Sequence, residues 1–444
     1  MRTQGLSLET IPPIHIPFRF FYTAPPMGIV AGVALLFAGD NALGSQWSPV
    51  LLGVTHLLTL GFMAMVMLGA MFQLVPVISG QMIPGGVVAA TAVHLLLLFG
   101  VALMAAGFMG QRYEWLALAG LSLLLAFATF LLPLASLLLR RIGGGDAIFT
   151  IRLAALSLLI TVALGLIRSA NFAGLAEPLP LANITNIHLG WGLGGWTVLL
   201  VMGASYQVIP MFHVTPSYPT WLSRTLPVIV VMSLIGLTLL PPYPLQAASL
   251  LALCTSGVVY ALFSIRLLGQ RKRRVSDITA RFWKLSLGCL VLAAMLCPAL
   301  YFFGDQLSAA SLQQRMQVAL GVLMVYGFAT SVIMGMLQKI VPFLSYLHLQ
   351  RRCLGNFEML KTLPHMGLII PHLHSRWQFR LHFAALLMLV LATLTGSGAR
   401  LAALALVADF AWLAWTLFSA ALIYCRTAVR VSIDGIETVD HSRS

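Results

Sequence analysis

Two histidines carry residue types and spacing that could do chemistry. His56 opens the stretch Thr55-His56-Leu-Leu-Thr59-Leu-Gly61-Phe62, and His188 opens His188-Leu-Gly190-Trp-Gly192-Leu-Gly194-Gly195. Both stretches continue into long apolar runs. An ionisable side chain inside a membrane span is a functional hypothesis by default, and neutral imidazole is a common axial ligand of haem iron. A macrocycle held between two helices takes one such ligand from each. The glycines after His188, with Gly53 and Gly61 on the first helix, are expected to leave room for it. For a single histidine, a hydrogen bond between helices is the plainer account. For two in comparable positions the reading is cofactor ligation.

Span two also carries Met63, Met65, Met67 and Met71. His56, Met63 and Met67 fall near one helical face, because residues four and seven apart align. Thioethers with imidazole suit copper(I), although methionine is also an ordinary filler of apolar cores. The expected cofactor ligands are therefore His56 and His188. The expected metal set is His56, His188, Met63 and Met67, with haem as cofactor and copper as the second candidate. Five further histidines, His348, His365, His372, His374 and His382, crowd a polar stretch, and no acid or cysteine is spaced to complete a metal site with them. They are read as solvated loop residues, and His94 as a packing residue. The five cysteines form no Cys-x-x-Cys pair, so neither a disulfide framework nor a thiolate metal site is expected.

The elements that must position these residues are membrane helices. Of 444 residues, 59% are hydrophobic and 9% charged, against about 25% charged in soluble domains; the mean hydropathy is +0.94. So few charges cannot cover a wetted surface of this size. Apolar stretches long enough to cross a bilayer recur at 25–44, 50–78, 86–109, 114–140, 148–169, 185–212, 224–241, 244–268, 282–304, 314–344, 381–399 and 401–426. All are expected to be helical, since lipid offers backbone groups no partner. The net charge of +14 sits largely in short loops, where it sets orientation and meets anionic headgroups; no nucleic-acid partner is expected. Arg140, Arg141 and Arg152, then Arg271 to Arg274, then Arg351, Arg352, Lys361, Arg376 and Arg380 alternate with basic-poor loops. Both termini are thereby expected in the cytoplasm. Residues 1–24 hold no apolar core of a cleaved signal peptide, and the first span is expected to act as an uncleaved signal. Carboxylates near the spans are few, and Asp409 alone is expected to be well embedded, which argues against ion-coupled transport.

The chain also repeats itself. Spans two, six and ten end in Gly69-Ala-Met-Phe-Gln73-Leu-Val-Pro76, Gly203-Ala-Ser-Tyr-Gln207-Val-Ile-Pro210 and Gly335-Met-Leu-Gln-Lys339-Ile-Val-Pro342. The prolines stand 134 and 132 residues apart, and Gly61, Gly195 and Gly327 each precede their proline by fifteen. The expected fold is an all-α integral membrane protein. It is one membrane domain, 1–444, of about twelve helices in three pseudo-symmetric four-helix repeats, 25–140, 148–268 and 282–426. The glycines are read as close-packing positions and the prolines as helix ends. Gln73, Gln207 and Lys339 are read as reaching toward headgroups or satisfying freed carbonyls.

In this architecture the chain resembles subunit I of the haem–copper oxidases, which has twelve helices in three arcs and a haem-ligating histidine near the outer end of its second helix. It departs from that family's catalytic motifs: span ten has no His-x-His, 224–241 has no histidine, and Gly192 stands four residues after His188. Oxygen reduction at a dinuclear centre is not expected. The chain is more similar to the NnrS family in His15-Ile-Pro17-Phe18-Arg19-Phe20-Phe21, in the opening of span two around His56, and in Val75-Pro76 at its end. That family's aromatic–histidine–acid stretch reads Val54-Thr55-His56-Leu57 here. The resemblance implies haem and copper, and a link to nitric oxide metabolism. His56 carries over by motif and His188 by position. The resulting expectation is a haem-binding protein of a bacterial-type inner membrane that binds a diatomic gas or exchanges electrons with a cytochrome partner, an oxidoreductase if it is an enzyme. The alternatives are a small-molecule or metal transporter without haem, and a structural subunit of a respiratory complex.

Overall fold

The computed structural model describes residues 11–139, 145–177, 184–241, 243–272, 278–306, 310–353 and 357–441. Arg140, Arg141, Arg273 and Arg274, which contribute to the expected orientation, lie outside these residues. Among the described residues there is no β-strand, and twelve helices are long and apolar enough to cross a membrane. They are α1 (His15–Leu43), α2 (Pro49–Ser79), α3 (Gly86–Met109), α4 (Trp115–Leu138), α5 (Asp146–Phe172), α6 (Ile184–His213), α7 (Thr220–Leu239), α8 (Leu245–Gly269), α9 (Ile278–Phe303), α10 (Ala310–Arg352), α11 (His372–Thr395) and α12 (Ala399–Ser432). The outward faces carry bare apolar side chains such as Phe37, Val88 and Leu132, a surface that suits lipid. The protein is a polytopic all-α membrane protein.

Neighbours in sequence are neighbours in space, and the succession closes where α1 lies along α12. The helices α2, α6 and α10 form the inside: more than half of each is buried, against half or less of each of the other nine. The glycines noted in the sequence let them approach their predecessors. A Cβ at Gly69 would lie 2.6 Å from Phe20 of α1, and one at Gly335 2.6 Å from Phe282 of α9; Gly203 lies against Thr150 of α5. Gly61, Gly195 and Gly327 press in the same way on Met27, Ser157 and Cys289, which belong to α1, α5 and α9. Close approach without a side chain gives such pairs their van der Waals contact in lipid.

Each inner helix is also interrupted by eight residues of π-helix: Leu57–Ala64, Gly190–Thr197 and Leu323–Thr330. The starts are 133 residues apart in both intervals. Such turns re-aim side chains and are frequent at functional sites. The hydroxyl of Thr197 donates to the Gly192 carbonyl at 2.9 Å, satisfying a backbone group that the wider turn leaves available.

Four boundaries differ from expectation, one of them the end of α12, which runs past residue 426 to Ser432. α1 begins ten residues earlier than the apolar run, at His15, and passes through Pro25 and Pro26 without stopping; transmembrane helices tolerate proline because neighbouring groups take up the freed carbonyls. α10 runs on to Arg352, so His348 is helical. α11 begins at His372, nine residues before the apolar run.

Candidate functional site

A cavity of about 970 Å³ lies between the inner helices, at the upper end of the range of about 300–1,000 Å³ for ligand sites. Its wall takes residues from all three π-helical segments, among them Thr59 and Met63, Gly190 to Gly194, and Met324 to Tyr326. It reaches the end of the bundle at which the even-numbered helices begin. There Gln46 donates to the Oε1 of Gln317 at 3.2 Å, and both line the cavity.

His56, His188, Met63 and Met67 all line this cavity. His56 is the last residue before the π-helical segment of α2, and His188 stands two before that of α6. Each imidazole is held by one nitrogen. The Nδ1 of His56 lies 2.8 Å from the Leu52 carbonyl and that of His188 3.1 Å from the Thr161 carbonyl. A carbonyl can only accept, so Nδ1 carries the proton in both rings and Nε2 carries the lone pair. Neither Nε2 has a hydrogen-bond partner among the described residues. A backbone acceptor on one nitrogen that orients the other is the usual support of a metal-bound histidine. His56 is stacked on Phe108 at 5.4 Å between centroids. His188 fits over Gly165, where a Cβ would come within 3.1 Å of its Cε1.

Gly190, Gly192 and Gly194 line the cavity as expected of room-making positions. Gly53 and Gly61 do not: they are consumed in packing α2 on Met109 of α3 and Met27 of α1. In α10 the position two before the π-helical segment is Gly321, which lines the cavity with open space beside it.

Other lining residues escaped the sequence reading. Arg168 of α5 stands at the wall, half-buried, with its guanidinium 5.0 Å from the Phe172 ring and no acidic partner among the described residues. A guanidinium is always charged, and one left unpaired at a cavity wall favours an occupant with an anionic group. The free thiols of Cys254 and Cys297, from α8 and α9, meet at the same wall. Among the described residues no group of three or more His, Cys, Asp or Glu could hold a metal ion.

The histidines of 348–382 are not one solvated set. His365 and His372 are exposed, and His374 is half-buried with its ring 4.6 Å from that of Trp415. His382 is fully buried, and the partner missing from its sequence neighbourhood is Asp409, 27 residues on, at 2.9 Å. The early start of α11 draws His382 inside: Ser375, Gln378 and His382 share its inner face, while Arg376 and Arg380 stay outside. His94 accepts or donates one hydrogen bond with Thr23 at 2.9 Å and packs edge-on to Phe20.

Neither a protein-family model nor a curated protein matches the chain.

Proposed function

We propose that the protein binds haem in this cavity, with His56 and His188 as the residues that hold it, and serves gas binding or electron transfer. The observation that carries the reading is the pair of imidazoles that line one cavity from two different helices, each with Nδ1 fixed to a backbone carbonyl and Nε2 unpartnered. The donor set fits the group. Two neutral nitrogens suit its iron, the apolar walls and glycines suit its faces, and Arg168 suits its acidic edge. Haem supplies an iron centre that exchanges single electrons or takes a diatomic ligand. The chain's own residues would orient the two nitrogens and offset acidic charge.

Met63 and Met67 stand on the same wall for copper(I), the second cofactor of this reading. The three four-helix repeats, the likeness to the NnrS family and to haem–copper oxidase subunit I, the bacterial-type inner membrane with both termini cytoplasmic, and a cytochrome redox partner belong to the same proposal. The three π-helical segments 133 residues apart support its repeat.

The test is an optical spectrum of the protein purified from haem-supplied cells, oxidised and then reduced with dithionite. A Soret band with sharp reduced α and β bands is expected, absent from His56→Ala and His188→Ala. Loss in His56→Ala alone, with a change on adding nitric oxide, would leave His56 as the one residue holding the group and point to gas binding. A folded, colourless wild type overturns the haem reading. It leaves a transporter without haem in front, a reading favoured by the buried His382–Asp409 pair, since embedded ionisable pairs also mark ion pathways.

A further inference from the structure

A second polar cluster lies where α10, α11 and α12 meet, and the haem reading makes no use of it. Tyr326, Ser331, Gln378, His382 and Asp409 are each at most 1% exposed. The Tyr326 hydroxyl donates to Asp409 Oδ2 at 2.5 Å, His382 Nδ1–H donates to the same oxygen at 2.9 Å, and Gln378 Nε2–H donates to Oδ1 at 2.6 Å. The Ser331 hydroxyl is hydrogen-bonded with His382 Nε2 at 2.7 Å.

Two features separate this cluster from a lock that only holds helices together. Tyr326 belongs to the wall of the cavity while its hydroxyl is bonded to Asp409, so one side chain joins the cavity to the carboxylate. His382 Nε2 also has a partner with or without one extra proton. When His382 is neutral with its proton on Nδ1, Ser331 donates to Nε2. When His382 is an imidazolium, Nε2–H donates to the Ser331 oxygen, and the hydroxyl turns to the Tyr326 carbonyl 3.5 Å away. The neighbouring helices bring little else that titrates. α9 contributes Phe282 against His382 and the thiol of Cys289 against Gly327. α2 contributes Phe62 against Phe410, and α1 contributes Gly28 against the same ring.

We infer that Asp409, His382 and Tyr326 form a proton-exchange site that hands one proton to, or takes one from, the occupant of the cavity. In the loaded state His382 is an imidazolium beside the Asp409 carboxylate. A basic atom in the cavity takes the Tyr326 hydroxyl proton; the Nδ1 proton of His382 moves to Asp409 Oδ2 and on to the Tyr326 oxygen. His382 is left neutral with its one ring proton on Nε2, donated to the Ser331 oxygen, beside the Asp409 carboxylate and the Tyr326 hydroxyl; one proton has left, and no electron has moved. Uptake is the reverse. The inference does not depend on what fills the cavity.

The experiment is infrared-monitored hydrogen–deuterium exchange on the full chain in lipid nanodiscs with no ligand added. His382 is identified in histidine-labelled protein by difference from His382→Gln. The expected result is that the His382 ring exchanges in the fast phase although it is fully buried, and that Tyr326→Phe loses this fast phase. If wild-type His382 exchanges only with the slowest core amides, the cluster is a sealed lock and the inference fails. Fast exchange that survives in Tyr326→Phe also overturns it, because the path then bypasses Tyr326. The wild-type arm decides even if Tyr326→Phe does not fold, and neither outcome bears on the optical test of haem.

Discussion

His56 and His188 each commit one nitrogen to a backbone carbonyl and keep the other free at a cavity wall; His382 commits both. The two regions stand on equivalent materials: π-interrupted inner helices, glycine-mediated packing and a few polar groups in an apolar surround. They differ in satisfaction. A histidine with a spare lone pair facing space can bind something without breaking a bond. A histidine paired to a carboxylate and a hydroxyl must give up a bond first, and in lipid each lost bond leaves a polar group with no water to replace it. Burial therefore does not by itself nominate a ligand; the unspent nitrogen does.

The largest effect expected from breaking this contrast is the spectral one. His56→Ala and His188→Ala are each expected to abolish the haem bands, while His382→Gln keeps them. If His382→Gln removes the bands and His188→Ala keeps them, the assignment of roles is reversed. The same spectra, taken with matched protein amounts, read this directly.

Next is stability. Asp409→Ala strips the Tyr326, His382 and Gln378 donors of their acceptor, and breaking a buried charged network in this way costs about 3–5 kcal/mol. His56→Ala in the same protein frees only one backbone carbonyl at a cavity edge and is expected to cost far less. Replacing the network together, with Asp409→Leu, His382→Leu and Tyr326→Phe, is expected to recover most of the loss, since apolar replacements of buried ion pairs are often neutral. Thermal unfolding in detergent compares the three. A smaller loss follows from Tyr326→Phe alone: it removes one hydrogen bond to a charged acceptor that keeps two others, about 1.5–3 kcal/mol. A loss as large as that of Asp409→Ala would make Tyr326, rather than the carboxylate, the centre of the cluster.

Much of the scaffold was legible in the sequence because lipid imposes a simple rule. Length and apolarity are enough to mark α3 or α8 to within a residue or two. The candidate site was legible in part: His56, Met63 and Met67 of α2 and His188, Gly190, Gly192 and Gly194 of α6 line one cavity, whereas Gly53 and Gly61 pack against neighbouring helices. The cluster at Asp409 was not legible. His382 is separated from its acid by a turn between two helices, and the start of α11 is disguised by Arg376 and Arg380, which lie on the outer face and lower the local hydropathy. Arg168 was hidden for the opposite reason: nothing in its neighbourhood shows that its charge faces a cavity rather than a headgroup. The π-helical segments share one residue, the glycine at Gly61, Gly195 and Gly327, which by itself reads only as a close-packing position. They lie where the inner helices pack against α1, α5 and α9 and border the cavity.

The finest test of the contrast is Gly165→Ala. The added methyl would come within 3.1 Å of the His188 Cε1, closer than ordinary van der Waals contact but not a clash with backbone. His188 is half-buried and borders open space, so the ring can move aside, and the cost to stability is expected at the low end of overpacking, about 1 kcal/mol. Movement of the ring stretches or breaks its 3.1 Å bond to the Thr161 carbonyl and re-aims Nε2. The expected outcome is a protein of nearly unchanged thermal stability whose reduced haem bands are weakened or shifted. Unchanged bands would mean that His188 does not hold the occupant through Nε2, and would leave His56 as the one ligand at this wall.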